Sequence, residues 1–415
     1  MREVRRVVIT GVGLVTSIGI GAEDVWRNAL AGTSGARPIT AFDTSRIPTR
    51  VACDVPDFQP GDFMDRRAAR RMDRFAQMAV AAGGMALGDA GLDPADVPDA
   101  GVYIGSGIGG LSTFVEQTTV MIERGPDRLS PFFIPMIIPN MGAAQVSMTY
   151  GLRGPLLVTV SACATSNHAL GEALDAIRLG RADVILAGGS ECSINEIGLA
   201  AFNAMRALST RNDEPNTASR PFDSGRDGFV MGEAGAVLVL EELGHAVARG
   251  ARIYAELAGY GLSGDAHHLT EPDPTGEAPA SAIRMALRDA GAEPEDVDYI
   301  NAHATSTPVG DPSEVRVIKM ALGEAHAAKT LVSSTKSMHG HCLGAAGGVE
   351  AALTAMALRD GVVPPTINLT DLDPECVGVD HVANAKRTAD IRTAVSNAFG
   401  FGGHNAALVM RRFEG

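Results

Sequence analysis

A chain of 415 residues, 45 % hydrophobic and 20 % charged, can bury a large core, which excludes general disorder. Its net charge of −14 argues against nucleic acid as the main partner. No basic stretch followed by an apolar run opens the chain, and no uncharged apolar run approaches the ~20 residues that span a bilayer; the reading is a soluble, cytoplasmic protein without signal peptide or membrane segment. In chain order, residues 5–13 read as a buried strand ending in a glycine turn. Gly11-Val12-Gly13 lacks the third glycine of a dinucleotide fingerprint, so a nucleotide site there is poorly supported. Residues 22–31 read as a helix, and 35–63, rich in Pro, Asp and Thr, as loop with short strands. Residues 65–90 read as one long helix whose start carries Arg66, Arg67, Arg70, Arg71 and Arg74. Residues 101–105, 157–160, 182–189, 236–241 and 251–261 read as strands, with a flexible glycine turn at 106–110. Further on, helices at 276–290, 313–322 and 347–359 alternate with strands at 297–301, 331–334, 394–398 and 406–410.

That alternation predicts α/β layers with buried sheets. The order strand, reactive turn, helix occurs around Cys163 and again over residues 336–348. It suggests an internal duplication with a boundary near residue 255, giving halves 1–255 and 256–415.

Cys163 closes the run Val158-Thr159-Val160-Ser161-Ala162 just before a helical stretch beginning at His168. A thiol at a helix N-terminus meets unpaired N–H groups and the positive end of the dipole, which favour the thiolate. On this stretch alone, nucleophile and buried structural cysteine remain equally open. The five cysteines (Cys53, Cys163, Cys192, Cys342, Cys376) are scattered, odd in number and without a CxxC pair, which argues against a disulfide framework or a zinc site. Four polar or glycine-rich turns accompany Cys163, at residues 220–229, 301–311, 336–348 and 396–405. Four of the ten histidines (His303, His339, His341, His404) lie in them, and imidazole suits a partner for a cysteine nucleophile near neutral pH. Any one of these taken singly could be a surface histidine.

Together the motifs make the chain resemble the β-ketoacyl-acyl-carrier-protein synthases, within the thiolase-like condensing enzymes. Ser161-Ala162-Cys163-Ala164-Thr165 is similar to the family's nucleophile motif, and Asn301-Ala302-His303-Ala304-Thr305-Ser306-Thr307 to its first histidine motif. Lys336-Ser337-Met338 with Gly340-His341 is similar to its lysine–histidine motif, and Asn397 with Phe399-Gly400-Phe401-Gly402-Gly403 to its C-terminal loop. The resemblance implies an α/β, thiolase-like duplicated fold in five layers, αβαβα. It implies decarboxylative Claisen condensation of a malonyl-carrier protein with an acyl group held on Cys163, in fatty acid elongation. The alternative is the ketosynthase subunit of a type II polyketide synthase. His303 and His341 would donate to the malonyl thioester oxygen, and the N–H groups of Cys163 and Phe401 would form the oxyanion hole.

Lys336 would orient the site through Glu350; a purely structural ion pair is the competing reading. Thr305 and Thr307 would hold the phosphopantetheine arm. Ile108 would limit the acyl tunnel, with Phe401 as its gate beside Phe399, and Phe133 would reach across a homodimer interface. Asn301, Glu350, Ser396 and Asn397 match a structural cation site of some relatives; no other metal and no cofactor is implied. His339 and His404 stand where relatives often carry threonine, and Cys342 is a second thiol near the site. An acidic carrier protein must find local attraction on an acidic chain, and Arg66, Arg67, Arg70, Arg71 and Arg74 with Arg206 form the candidate docking patch. A degradative thiolase is disfavoured because residues 399–405 contain no cysteine. A chalcone-synthase-like enzyme is disfavoured because a second histidine, His341, follows Lys336. A silent chain-length or scaffold subunit would not need Cys163.

Overall fold

The computed structural model describes residues 4–415. Ten strands carry the architecture: β1 (Val7–Thr16), β2 (Gly101–Gly105), β3 (Leu156–Leu157), β4 (Val184–Glu191), β5 (Ala234–Glu242), β6 (Ala255–Gly264), β7 (Tyr299–Asn301), β8 (Leu331–Ser333), β9 (Thr393–Gly400) and β10 (His404–Arg411). They run in the spatial order β8-β7-β9-β10-β6-β1-β5-β4-β2-β3. Outward from the centre, one side reads β1, β5, β4, β2, β3 and the other β6, β10, β9, β7, β8, so each strand has a counterpart five places on. Among the described residues the ladder between the two sides is short, pairing Val8 with Glu256 and Ile9 with Ala255. Two short strands complete the sheet: Gly19–Ile20 against β1, and Asp380–His381 beyond β8.

Six helices sort into three layers around the two sheet halves. They are α1 (Arg74–Ala90), α2 (Met141–Tyr150), α3 (Thr165–Arg178), α4 (Glu277–Ala290), α5 (Gly310–Leu322) and α6 (Ala346–Asp360). Packing on the outer face of β2, β4 and β5, α1 and α2 build a core of Phe75, Val146, Val102, Leu186 and Val239. On the other outer face, α4 and α5 pack Ile283, Val315 and Ile318 against Ile300, Val332 and Val409. Between the sheets, α3 and α6 share one core with both of them. This is the expected five-layered arrangement. Strand parity follows: Val184 and Leu186 of β4 face α1, while Ile185 and Ala187 face the middle layer. Burial on both faces is why these strands read as unbroken apolar runs. In α6 every residue from Ala346 to Leu358 is buried, as befits a helix apolar on all sides.

Three sequence expectations need correction. Gly11 and Gly13 do not form a turn; they lie inside β1, where a Cβ would come within 2.3 Å of the Ala86 carbonyl oxygen and 1.9 Å of that of Ala82. β6 repeats the device against α4, with Gly259 and Gly261 at 2.3 and 2.1 Å from the carbonyls of Ala286 and Ala282. These glycines therefore set the distance between strand and helix. Residues 65–90 are not one helix: a single turn, Arg66–Ala69, precedes a break. Asp73 then caps α1 through Phe75 N–H, while its other oxygen accepts from the N–H and hydroxyl of Thr113. That second demand on Asp73 fixes the break, because a helical Asp73 could not cap. Finally, of the strand expected over 157–160 only Leu157 takes part, in the two-residue edge strand Leu156–Leu157 parallel to β2. Leu156, Leu157 and Val160 are exposed rather than buried. Helices at Leu111–Arg124, Phe133–Ile137 and Glu196–Ala204 complete segments that the sequence left unassigned.

The glycine contacts predict opposite outcomes at two positions. Gly13→Ala should destabilise by about 1–3 kcal/mol or more through overpacking. Gly88→Ala, in α1 with open space around its Cβ, should be neutral or stabilising by up to ~1 kcal/mol. Thermal unfolding of the two variants beside the unmodified protein checks this.

Candidate active site

The reactive turns sit at the carboxyl ends of parallel strands, where α/β sheets gather their ligands. Cys163 lies between β3 and α3. Its corner is built by Thr165, whose hydroxyl oxygen accepts from Ser161 N–H at 2.9 Å and whose carbonyl accepts from the Thr159 hydroxyl at 2.8 Å. Ala162 holds φ 48, a left-handed conformation uncommon for a side chain with a Cβ. A 3-10 turn, Ala162–Ala164, leads into α3, so the helix begins at Thr165 and not at His168. In the other half the β8–α6 connection does the same: Leu343 holds φ 47, and the turn Leu343–Ala345 leads into α6. Lys336 and His341 stand just before it. The two first turns meet, with Ser166 Oγ donating to the Gly344 carbonyl at 2.5 Å.

This contact brings His341 Nε2 to 2.9 Å from Cys163 Sγ. His303, from the β7–α5 connection, completes a trio whose sulfur and nitrogen atoms all lie within 4.8 Å of one another. The imidazoles of His303 and His341 stand edge to face at 5.5 Å, and Phe399 and Phe229 wall them at 5.8 and 5.2 Å. Gly400 lets the β9–β10 loop approach closely: a Cβ there would lie 2.7 Å from the Ser161 carbonyl and 3.2 Å from Cys163 N. The Phe401 N–H is thereby directed at the cysteine sulfur.

A cavity of about 680 Å³ opens onto the trio and is lined by Ile108, Phe202, Phe229, Thr305, Thr307, Phe399 and Phe401, with Arg206 among the residues of its wall. Most of the expected site residues therefore converge. Phe133 does not line this cavity; it packs on Phe114 at 6.1 Å, away from the trio. Among the arginines, Arg74 is committed to an ion pair with the buried Glu233 and stacks on Phe58, so it leaves the docking patch. Arg66, Arg67, Arg70 and Arg71 are exposed, and Arg71 covers the Phe132 ring at 4.8 Å. His339 is buried, with Nε2 3.1 Å from the Thr335 hydroxyl and Nδ1 toward Cys342, which keeps it out of the trio. His404 is exposed and stacks edge to face on His168.

The electrostatics correct one further expectation. Burial pushes the Cys163 thiol up to about 12, and neither the Lys336 charge nor the Phe401 N–H overcomes it. The helix N-terminus alone does not create a resting thiolate. Burial, with Lys336 adding to it, also drives His303 and His341 well below the ordinary histidine value. The resting site is a neutral thiol beside two neutral imidazoles. Lys336 is itself buried and paired with Glu350. Burial raises Glu350 to about 7 against the pull of the ammonium.

Two carboxylates escaped the sequence analysis. Glu314 of α5 accepts from the N–H groups of His303 and Ala304 at 2.8 and 2.6 Å and from the Asn397 amide at 3.0 Å, and so fixes the histidine turn. Glu191, ending β4 and fully buried, accepts from the N–H groups of Gly107, Ile108 and Gly344 and from the Ser106 hydroxyl. An acid embedded in an apolar helix face, or closing an apolar strand, was the available signal for both.

Comparison with known proteins agrees with this geometry. The family signatures described as "Beta-ketoacyl synthase, N-terminal domain" and "Beta-ketoacyl synthase, C-terminal domain" match residues 4–246 and 254–370. The chain is 50 % identical over 417 residues to a 3-oxoacyl-[acyl-carrier-protein] synthase 2 of Staphylococcus aureus strain N315, covering 100 % of both chains. It is 50 % identical to the Coxiella burnetii protein of the same name, covering 99 % of both. Among solved structures, a β-ketoacyl synthase from Burkholderia phymatum superposes with a TM-score of 0.92 at 37 % identity, covering 99 % of this chain and 100 % of the other. A type II polyketide ketosynthase bound to the hexaketide, in complex with its acyl-carrier protein, superposes at 0.91 with 34 % identity, covering 99 % and 100 %. With a cysteine and two histidines gathered at the matched positions, the chain belongs to the β-ketoacyl synthase family.

Proposed function

We propose that this chain is a β-ketoacyl-acyl-carrier-protein synthase that extends acyl chains in fatty acid synthesis, using Cys163 as nucleophile and His303 with His341 as the decarboxylation pair. The observation that carries this reading is the 2.9 Å contact of His341 with Cys163, with His303 within 4.8 Å of both. Relatives 50 % identical over their whole length favour the fatty acid pathway over the type II polyketide ketosynthase at 34 %.

In acyl transfer, Cys163 attacks the carrier-bound thioester while its proton passes to His341 Nε2 and on to the departing carrier thiol. Neutral imidazole is the form that can accept that proton. The N–H groups of Cys163 and Phe401 meet the oxyanion of the tetrahedral intermediate. In the second half-reaction, His303 and His341 act as N–H donors to the malonyl thioester oxygen. Carbon dioxide leaves, the donors hold the enolate, and its carbon attacks the acyl-Cys163 carbonyl to release the thiolate. Lys336 acts through its field and its pairing with Glu350, not as a nucleophile.

Thr305 and Thr307, whose hydroxyls are 3.1 Å apart on the cavity wall, are suited to the amides of a phosphopantetheine arm. Ile108 and Phe401 are the acyl-pocket wall and its gate, the latter between Gly400 and Gly402-Gly403. Glu350 Oε2, Ser396 Oγ and Asn397 Oδ1 are buried oxygens without hydrogen-bond partners, and Asn301 pairs with Ser396 across β7 and β9. This all-oxygen set fits a hard cation, which would supply charge balance behind the histidines. An acidic carrier protein would dock on Arg66, Arg67, Arg70, Arg71 and Arg206. The exposed β3 edge with Leu156, Leu157 and Val160 suits a second copy of the chain, since such an apolar edge seeks a partner strand. Division into halves near residue 255 accords with the repeated strand order. Among the described residues no helix is long and apolar enough to cross a membrane.

Incubation with radiolabelled acyl-carrier protein should label Cys163, and Cys163→Ala should lose both label and elongation with malonyl-carrier protein. Absence of label on the unmodified protein would leave a silent scaffold. Because the thiol stays protonated up to about 12, its alkylation by iodoacetamide should rise about tenfold per pH unit through pH 7–9. A plateau near neutrality would restore the helix-terminus thiolate. Joint Arg67→Glu and Arg71→Glu should raise KM for carrier-bound substrate about tenfold and spare small thioesters. Equal losses with both substrates would remove the docking patch.

A further inference from the structure

The turn at residues 220–229 carries chemistry that the condensation mechanism does not use. Arg226 in it is 8 % exposed. Four donations leave its guanidinium: Nε to the Thr307 carbonyl at 2.9 Å, one terminal nitrogen to the Pro308 carbonyl at 2.9 Å, and the other to the Asp223 carbonyl at 2.9 Å and the Asp373 carboxylate at 2.6 Å. A buried guanidinium loses its hydration and is kept only where its fork is filled. Two of the four acceptors lie in the turn that bears Thr305 and Thr307.

The same segment grips that turn twice more. Arg220 N–H donates to Ser306 Oγ at 3.0 Å, and Gly228 N–H to the Ser306 carbonyl at 3.1 Å. Ser306 holds φ 70, which a serine adopts only when its surroundings enforce it. Its left-handed kink turns the flanking Thr305 and Thr307 hydroxyls to one another at 3.1 Å on the cavity wall. From the other side, Asp311 accepts from the N–H groups of Ser306 and Thr307 at 3.1 and 3.2 Å. Carbonyls and N–H groups of one short turn are thus held from opposite directions.

We propose that Arg226 is a positioning residue for recognition of the substrate's pantetheine arm: its fork on the Thr307 and Pro308 carbonyls fixes the threonine pair against which the arm lies. The inference rests on the condensing-enzyme reading, and it assigns the turn at 220–229 to substrate binding. Arg226 touches neither the trio nor the substrate. Its loss should therefore weaken binding through the arm while leaving the chemistry at Cys163 intact. Lysine keeps the charge but offers a point donor that cannot span both carbonyls.

Single-turnover acylation of Cys163, read by mass, separates these effects. The donors are an acyl-pantetheine thioester and the ethanethiol ester of the same acyl group, which lacks every amide and hydroxyl of the arm. Arg226→Lys should raise the half-saturating concentration of the pantetheine thioester about tenfold, as expected for lost hydrogen bonds to a charged group. The maximal rate and the rate with the ethyl thioester should stay within about twofold. Asp373→Asn, which keeps the fork on the turn but removes the nearer of its two carboxylate partners, Asp311 at 3.8 Å being the other, should show the same split at about threefold. It also serves if the lysine variant does not fold. Equal losses with both donors, or no loss with either in folded variants, would overturn the proposal. Failure of the unmodified protein to acylate with either donor would instead overturn the condensing-enzyme reading.

Discussion

Everything at the reactive centre depends on two helix beginnings being pressed together. The Ser166 hydroxyl bonds the Gly344 carbonyl between the first turns of α3 and α6. Neither partner has room to retreat. A Cβ on Gly347 would lie 2.3 Å from the Asn167 amide oxygen, and one on Gly344 would lie 2.4 Å from Gly107 N. Small residues at these positions let two helices from different halves approach until a sulfur and an imidazole touch. Glu191 fastens the same place from a third direction, binding N–H groups on both the Gly107 and the Gly344 sides. The cavity wall at Ile108 and the turn after His341 thus share one buried carboxylate.

Charge is handled by exclusion of water. A buried ammonium at Lys336 is compensated by Glu350, and its field reaches Cys163, His303, His339 and His341 alike. The field lowers each histidine and eases the thiol downward, but burial dominates all four groups. The outcome is a site that carries its protons on sulfur and leaves both imidazoles neutral. Such a site can pass a proton during thioester exchange and still present N–H donors when an enolate forms. A permanently charged imidazolium pair would have been costly to bury and would have had no proton to accept.

The duplicated fold lends its loops to unlike tasks. The β3–α3 and β8–α6 connections share a left-handed residue and a 3-10 turn, at Ala162 and Leu343. One delivers Cys163; the other delivers Lys336 and His341. The β2 and β7 connections give an apolar wall at Ile108 and a histidine at His303. Even the paired glycines recur, Gly11 and Gly13 against α1 and Gly259 and Gly261 against α4. A shared scaffold fixes where four loops arrive, and only the residues on them divide the labour.

The sequence by itself determined the layers and the chemical cast. Short β-branched apolar runs alternating with longer helical patterns point to strands buried between helix layers, and the motifs around Cys163, His303, Lys336 and His341 are local words that need no partner to be read. It also showed glycines at Gly11 and Gly13 without revealing their purpose, because a close approach is a property of two elements and not of one. What only the tertiary structure decided were the competitions between distant groups. Asp73 breaks a helix because Thr113, far along the chain, needs its other oxygen. Arg74 deserts the surface for Glu233. Burial overrules the helix terminus at Cys163, since desolvation depends on everything packed around the sulfur. Glu191, Glu314 and Arg226 act on backbone groups that lie near them only after folding, so the sequence could mark the two acids as out of place in apolar elements but could not name their partners.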